Sequence, residues 1–282
     1  MDIQTIGVVG AGAMGNGIAQ VCAQAGFRVL MNDRETAFVQ RGLGTIQKSL
    51  AKLAEKGKFS ADERDAIYGR ITPSTDLADL AAADLVIEAV FEKFEVKREL
   101  LGRLDTICRP ATILASNTSS ISITKLAATT QRPTQVIGMH FFNPVPIMQL
   151  IEIIRALQTD QATYDTIRDL SVKLGKTPVQ VNDSPGFVSN RVLMPMLNEA
   201  MYTLMEGVAS AADIDTAVKL GLNHPMGPLT LADYVGLDVC LDVLEVLHRE
   251  LGDPKFRPCP LLRKMVDAGY LGRKSGQGFY SY

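Results

Sequence analysis

Tryptophan is absent from the 282 residues, histidine occurs three times and cysteine four times. Three histidines (His140, His224 and His248) cannot build a histidine-rich metal site, so no metal is expected. Cys22, Cys108, Cys240 and Cys259 lie far apart and form no CxxC pair. That spacing argues against a disulfide framework and for reduced thiols in a cytoplasmic protein. No apolar run approaches the roughly 18 residues of a membrane span. The start, MDIQTIGVVGAG, lacks the basic stretch and apolar region of a secretory signal. Neither sign of charge dominates: 29 Lys and Arg face 31 Asp and Glu, a net charge of -2. Such a balance leaves no footprint for nucleic acid, and a membrane partner is equally unexpected. What is present is core-forming material, 46% hydrophobic against 21% charged. The length suits one large domain or two ordinary ones.

The first part alternates strand-like and helix-like segments. Ile3–Val9 reads as a strand, Ala13–Ala25 as a helix of small and apolar residues, and Phe27–Met31 as a second strand. A strand–helix–strand unit of this size favours a parallel sheet. Two helices then follow in place of one, over Thr36–Lys56 and 61–68, the second capped by Ser60. We read residues 36–68 as a helical hairpin inserted into a doubly wound sheet, where insertions commonly carry ligand specificity. Strands are expected at Leu85–Ala89, Thr112–Ala115, Val136–Met139, Met148–Ile154 and Thr177–Val181. Helices are expected at Phe94–Asp105, Ile121–Ala127 and Asp160–Leu174. After Asp183 the texture turns helical. Ser184 and Pro185 read as cap and first residue of a helix running to Glu206 that is apolar nearly all round, hence buried and kinked at Pro195. Helices at 211–220, 228–250 and 260–268 follow. The expected architecture is α/β: a Rossmann-like domain over 1–184 and an all-helical domain over 185–282.

Gly10-Ala11-Gly12-Ala13-Met14-Gly15 fits G-x-G-x-x-G between the first strand and helix. Gly10 allows the tight turn, Gly12 the approach of a pyrophosphate, and Gly15 close helix–strand contact. Asp33, 23 residues past Gly10, ends the second strand, where a carboxylate binds a ribose 2′-hydroxyl and repels a 2′-phosphate. NAD is therefore expected over NADP, although Arg34 is a residue that could accommodate the phosphate.

His140 follows an apolar strand, and Glu152 sits inside Leu150-Ile151-Glu152-Ile153-Ile154, where a carboxylate is costly without a partner. Pro146 lies midway between them. If the two strands fold back on each other, the imidazole and carboxylate meet across the ladder. A carboxylate so placed sets the tautomer of a general base; a structural pair is the bland alternative. Ser116-Asn117-Thr118-Ser119-Ser120 ends a strand, as either a plain polar loop or a ligand-binding edge. Asn190 opens the second domain as a cap or a substrate contact. Glu92 and Lys97 read as surface charges on a helix start, or as groups at the cofactor edge. Lys52 and Lys56, one turn apart on the insertion, are solvated lysines or a phosphate clamp. His224 and His248 receive no role.

These residues resemble the L-3-hydroxyacyl-CoA dehydrogenase family, above all its short bacterial 3-hydroxybutyryl-CoA dehydrogenases. The matching segments are GVVGAGAMGNGIAQ, VIEAVFEKFEVK, ASNTSSIS, GMHFFNPVPIMQLIEI, NDSPGFVSNRVL, PMGPLTLADYVGLD and GQGFYSY. The resemblance implies an NAD-binding domain joined to a helical domain that forms a homodimer. It makes His140 and Glu152 the catalytic dyad, with Ser119 and Asn190 as substrate contacts. It assigns cofactor contacts to the Gly10–Gly15 loop, Asp33, Glu92, Lys97, Asn143 and Lys274. It assigns coenzyme A contacts to Ser49 and Lys56, with Lys52 close by. The implied reaction is reversible NAD-dependent oxidation of an (S)-3-hydroxyacyl-CoA. A dehydrogenase of a free hydroxy acid and a non-catalytic NAD-binding relative are the alternatives.

Overall fold

Strands with apolar residues on both faces need helices on both sides of a sheet. The computed structural model describes residues 2–282, and its N-terminal unit, up to Ser184, follows that rule. In chain order it contains β1 (Thr5–Val9), α1 (Ala13–Gln24), β2 (Arg28–Asn32), α2 (Thr36–Glu55), α3 (Ala61–Gly69) and β3 (Ile71–Ser74). Then come β4 (Leu85–Glu88), α4 (Phe94–Ile107), β5 (Ile113–Ser116), α5 (Ile123–Ala127), β6 (Val136–Phe141), β7 (Leu150–Arg155), α6 (Gln161–Lys173) and β8 (Thr177–Asn182). The eight strands form one sheet in the order β3-β2-β1-β4-β5-β6-β7-β8. Every neighbouring pair is parallel except β6 and β7, which form an antiparallel hairpin. The order reverses direction between β1 and β4, which is where a doubly wound sheet opens its ligand crevice.

Helix α1 lies close on the sheet because its glycines permit it. A Cβ on Gly15 would stand 1.7 Å from the Gly10 carbonyl oxygen. The insertion is α2 and α3, between β2 and β3. Leu43, Ile46 and Leu50 are buried along one face of α2; such side chains contribute about 1.5–3 kcal/mol each when fully buried. Ser60 and Glu63 close a reciprocal capping box on α3, as the sequence indicates. Strand β3 is an addition to the expected list. It holds Pro73, which cannot donate to a ladder, and it survives because it is the sheet's edge.

The C-terminal unit, from Pro185, is helical: α7 (Ser189–Met205), α8 (Ala211–Gly221), α9 (Pro228–Val235), α10 (Leu237–Leu251) and α11 (Pro260–Asp267). Three expectations change here. Ser184 and Pro185 do not start the first helix: residues 185–188 are a turn with Gly186 and Phe187 at positive φ, and α7 begins at Ser189. Helix α7 is not buried all round, since Val192 is 69% exposed while Met194, Leu197 and Met201 are buried. The segment at 228–250 is two helices, broken at Gly236, whose φ of 104° lies outside the helical range.

Candidate active site

The loop after β1 has the geometry that a dinucleotide pyrophosphate requires. Gly10 takes φ of 102°, and a Cβ there would meet the Ala89 carbonyl oxygen at 2.5 Å. A Cβ on Gly12 would meet nothing within 4 Å, so this position faces open space at the start of α1. An anion placed there meets the helix N-terminus. Asp33 is locked at the end of β2: Oδ2 accepts from the Ala11 amide at 2.7 Å and Oδ1 from the Arg34 amide at 2.8 Å. A cavity of about 650 Å³ opens here, lined by the Gly10–Met14 loop, Asp33 and residues from the insertion and α4. Two of those escaped the sequence reading. Phe38 and Arg41 of α2 stand on the rim, with the Arg34 and Arg41 guanidinium carbons 5.4 and 5.9 Å from the Phe38 ring centroid. The insertion is held against the loop, since a Cβ on Gly42 would lie 2.8 Å from the Ala11 carbonyl oxygen. These residues fit an adenosine ribose and pyrophosphate.

Beside this pocket the ends of β4 and β5 hold a buried charge cluster. Glu88 ends β4 and is wholly buried. Both of its oxygens accept from Lys97 Nζ at 2.8 Å, and Oε1 also accepts from the Ser116 hydroxyl. Lys97 is thus no surface lysine: it is 1% exposed and held inside α4. It also pairs with Glu92 at 3.3 Å. The other Glu92 oxygen gathers the loop after β5, accepting from the Thr118 hydroxyl at 2.5 Å and the Ser119 and Ser120 amides at 2.8 and 3.0 Å. The Ser119 hydroxyl reaches the same oxygen at 3.3 Å. Burial pushes the Glu92 carboxyl up, but Lys97 and these donors outweigh it and hold it below the usual carboxylate range. Ser119 therefore sits on a loop fixed from beneath by a carboxylate, not on a free polar turn.

His140 and Glu152 are direct partners across the β6–β7 ladder. His140 Nδ1 lies 2.8 Å from Glu152 Oε2, and both side chains are buried. His140 belongs to β6 itself, which runs on to Phe141. Asn117 Oδ1 accepts from the Phe141 amide at 2.9 Å, tying the loop after β5 to the histidine strand. Asn143 is exposed just beyond, in the β6–β7 connection. Farther along the insertion, Ser49 is half-buried and Lys52 exposed on α2, and exposed Lys56 caps its C-terminus. In the C-terminal unit, Asn190 lies in the first turn of α7, and exposed Lys274 pairs with Asp238 at 2.5 Å.

The NAD binding domain of the 3-hydroxyacyl-CoA dehydrogenase family matches residues 5–184, and that family's C-terminal domain matches residues 186–282. The chain belongs to the 3-hydroxyacyl-CoA dehydrogenase family. A Deinococcus radiodurans protein named "Probable 3-hydroxybutyryl-CoA dehydrogenase" is 59% identical over 98% of this chain and 99% of its own. A Bradyrhizobium diazoefficiens 3-hydroxybutyryl-CoA dehydrogenase is 51% identical over 99% of this chain and 96% of its own. The crystal structure of a Ralstonia eutropha (S)-3-hydroxybutyryl-CoA dehydrogenase is 54% identical, with a TM-score of 0.98 over 100% of this chain and 99% of that one. As a 3-hydroxyacyl-CoA dehydrogenase by family, the chain is an NAD-dependent oxidoreductase. The cavity above β1 and β4 is the region of that NAD binding domain that suits the cofactor.

Glu88 was missed by sequence reading, and so was the bond by which Ser116 supports it. The signal was a carboxylate at the end of the apolar run Leu85-Val86-Ile87, the same anomaly that marks Glu152.

Proposed function

We propose that this enzyme reversibly oxidises (S)-3-hydroxybutyryl-CoA to acetoacetyl-CoA, with His140 as the general base. The observation that carries the reading is the buried His140–Glu152 pair at 2.8 Å. With Nδ1 turned to Glu152, proton exchange with the substrate runs through Nε2 of His140. His140 takes the proton of the C3 hydroxyl in oxidation and returns it in reduction. Glu152 stabilises the imidazolium that forms and holds the ring in one orientation. Ser119 orients the hydroxyl and Asn190 the thioester side. NAD, when bound, supplies the hydride acceptor. The Gly10–Gly15 loop and Asp33 hold its pyrophosphate and ribose, with Glu92, Lys97, Asn143 and Lys274 as further contacts. Ser49, Lys52 and Lys56 receive coenzyme A. Val192 and Val208, 69% and 70% exposed in the C-terminal unit, support homodimerisation through that unit. The buried free thiols and the bacterial relatives support a cytoplasmic location.

The test is His140→Asn assayed with acetoacetyl-CoA and NADH. Loss of a general base costs about 10²–10⁴-fold, so kcat should fall by that order while NADH affinity stays near wild type. Near-normal turnover in the variant overturns the assignment.

A further inference from the structure

The β6–β7 connection, residues 142–149, joins the histidine strand to the glutamate strand and carries Asn143. Something must fix its path, because the ladder ends at Phe141 on one side and begins at Leu150 on the other. Two contacts do so. On one side Val145 lies against α1, so closely that a Cβ on Gly17 would stand 2.8 Å from Val145 Cβ. On the other side Lys176, just before β8, sends its ammonium into the connection. Lys176 Nζ donates to the main-chain oxygens of Val145 at 2.6 Å and Met148 at 2.7 Å. The root of Lys176 is itself fixed, since its amide donates to the Ser171 carbonyl and the next amide, of Thr177, to the Gln149 carbonyl.

This cation is unusual in its company. Lys176 is buried, and among the described residues no carboxylate lies within ion-pair distance of it. Its electrostatic neighbour is the fully buried Cys22 thiol of α1. Burial holds the ammonium below the usual lysine range and pushes the Cys22 thiol up to about 12. A buried charge without a counter-ion is costly. A methionine would fill the same length at no such cost but could not bind two carbonyls.

We propose that Lys176 is a positioning residue for the reaction: its ammonium clamps the β6–β7 connection against α1 and thereby holds His140, Glu152 and Asn143 in their working arrangement. This rests on His140 being the base. The clamp itself has a readout that is independent of any substrate, the amide hydrogen exchange of residues 143–149.

The experiment compares Lys176→Met and Lys176→Ala with the wild type in acetoacetyl-CoA reduction, NADH binding by fluorescence, and hydrogen exchange. Misplacement of reacting groups by about 1 Å costs on the order of 100-fold. We expect kcat to fall at least about tenfold in Lys176→Met, with the NADH dissociation constant raised by clearly less than kcat falls, because Asn143 is one cofactor contact among several and the Gly10–Gly15 loop and Asp33 are untouched. Exchange should quicken in 143–149 and not in β1 or α1. Ethylamine added to Lys176→Ala should restore part of kcat, since a small ammonium can enter the vacated space and donate to the same carbonyls. The wild type should not respond. Unchanged kcat and exchange in Lys176→Met overturn the proposal. So does a loss that falls equally on NADH affinity and that ethylamine leaves unrelieved, or failure of both variants to fold, either of which makes the side chain a general structural element. Faster exchange at 143–149 with a wild type inactive on acetoacetyl-CoA would keep the clamp and reject the substrate assignment instead.

Discussion

Glu88 shows how one carboxylate can be worth more to the fold than its neighbours suggest. It is fully buried, and its charge is met by Lys97, Ser116 and the Val90 amide. Removing one partner of a buried pair costs about 3–5 kcal/mol, because the other charge stays behind; replacing both with apolar groups is often neutral. Glu88→Gln should therefore lower the thermal midpoint by several degrees, and Glu88→Leu combined with Lys97→Met should recover much of that loss. Thermal melts of the three proteins check this, and an unchanged midpoint in Glu88→Gln would refute it. His140 and Glu152 were legible at this scale because a charge in an apolar strand asks for a partner and Pro146 marks a fold-back. Lys97 was not, because a lysine at a helix start reads as solvated until β4 and β5 are seen beneath it.

Helix α2 serves two regions of the molecule. Its first turns bring Phe38 and Arg41 to the cavity above the Gly10–Met14 loop and Gly42 against Ala11, while its last carry Ser49, Lys52 and Lys56. The sequence pointed to the second role only, since its argument rested on lysine spacing. Lys56→Ala should raise the Michaelis constant for acetoacetyl-CoA several-fold and leave NADH affinity alone. Exposed pairs of this kind are worth about 0–1 kcal/mol, and exposed charges are screened over roughly 10 Å at 0.1 M salt. The effect should therefore shrink as salt rises. Steady-state assays at low and high salt measure it, and an equal, salt-independent loss of NADH binding would move Lys56 to the other ligand. Strand β3 is the opposite case. With four residues and a proline, it has no signal of its own, and β2 alone makes it a strand.

At the scale of the whole molecule, the chain folds as two units that answer to different chemistry. The C-terminal unit closes its tail on two buried carboxylates. Asp215 accepts from Leu229 and Thr230 amides and, at 2.9 Å, from the Tyr280 hydroxyl. Asp233 accepts from the Phe279 and Tyr280 amides and, at 3.1 Å, from the Tyr282 hydroxyl. Burial first, then Asp215, pushes Tyr280 up to about 12, and burial with Asp233 does the same for Tyr282. The unfolded chain loses these protons near the ordinary value of 10.0. The stability they contribute is complete below that pH and is lost as pH rises from about 10 toward 12. The double variant Tyr280→Phe, Tyr282→Phe should lose less stability than wild type over that interval. Thermal midpoints measured across it provide the comparison, and parallel curves would dismiss the effect.

Local chemistry was enough to determine the strand–glycine loop–helix unit, Asp33 at its second strand, the inserted hairpin with its Ser60 cap, and a histidine paired with a glutamate. Each rests on contacts between residues near in sequence or on a period that a single element displays. Tertiary structure alone decided that Lys97 is buried, that Glu92 gathers the Ser119 loop, that Lys176 reaches the β6–β7 connection, and that one face of α7 stays exposed. Those depend on which strands become neighbours and on what lies on the far side of a helix. Both are settled by the burial of many side chains at once, so no short stretch of sequence carries them.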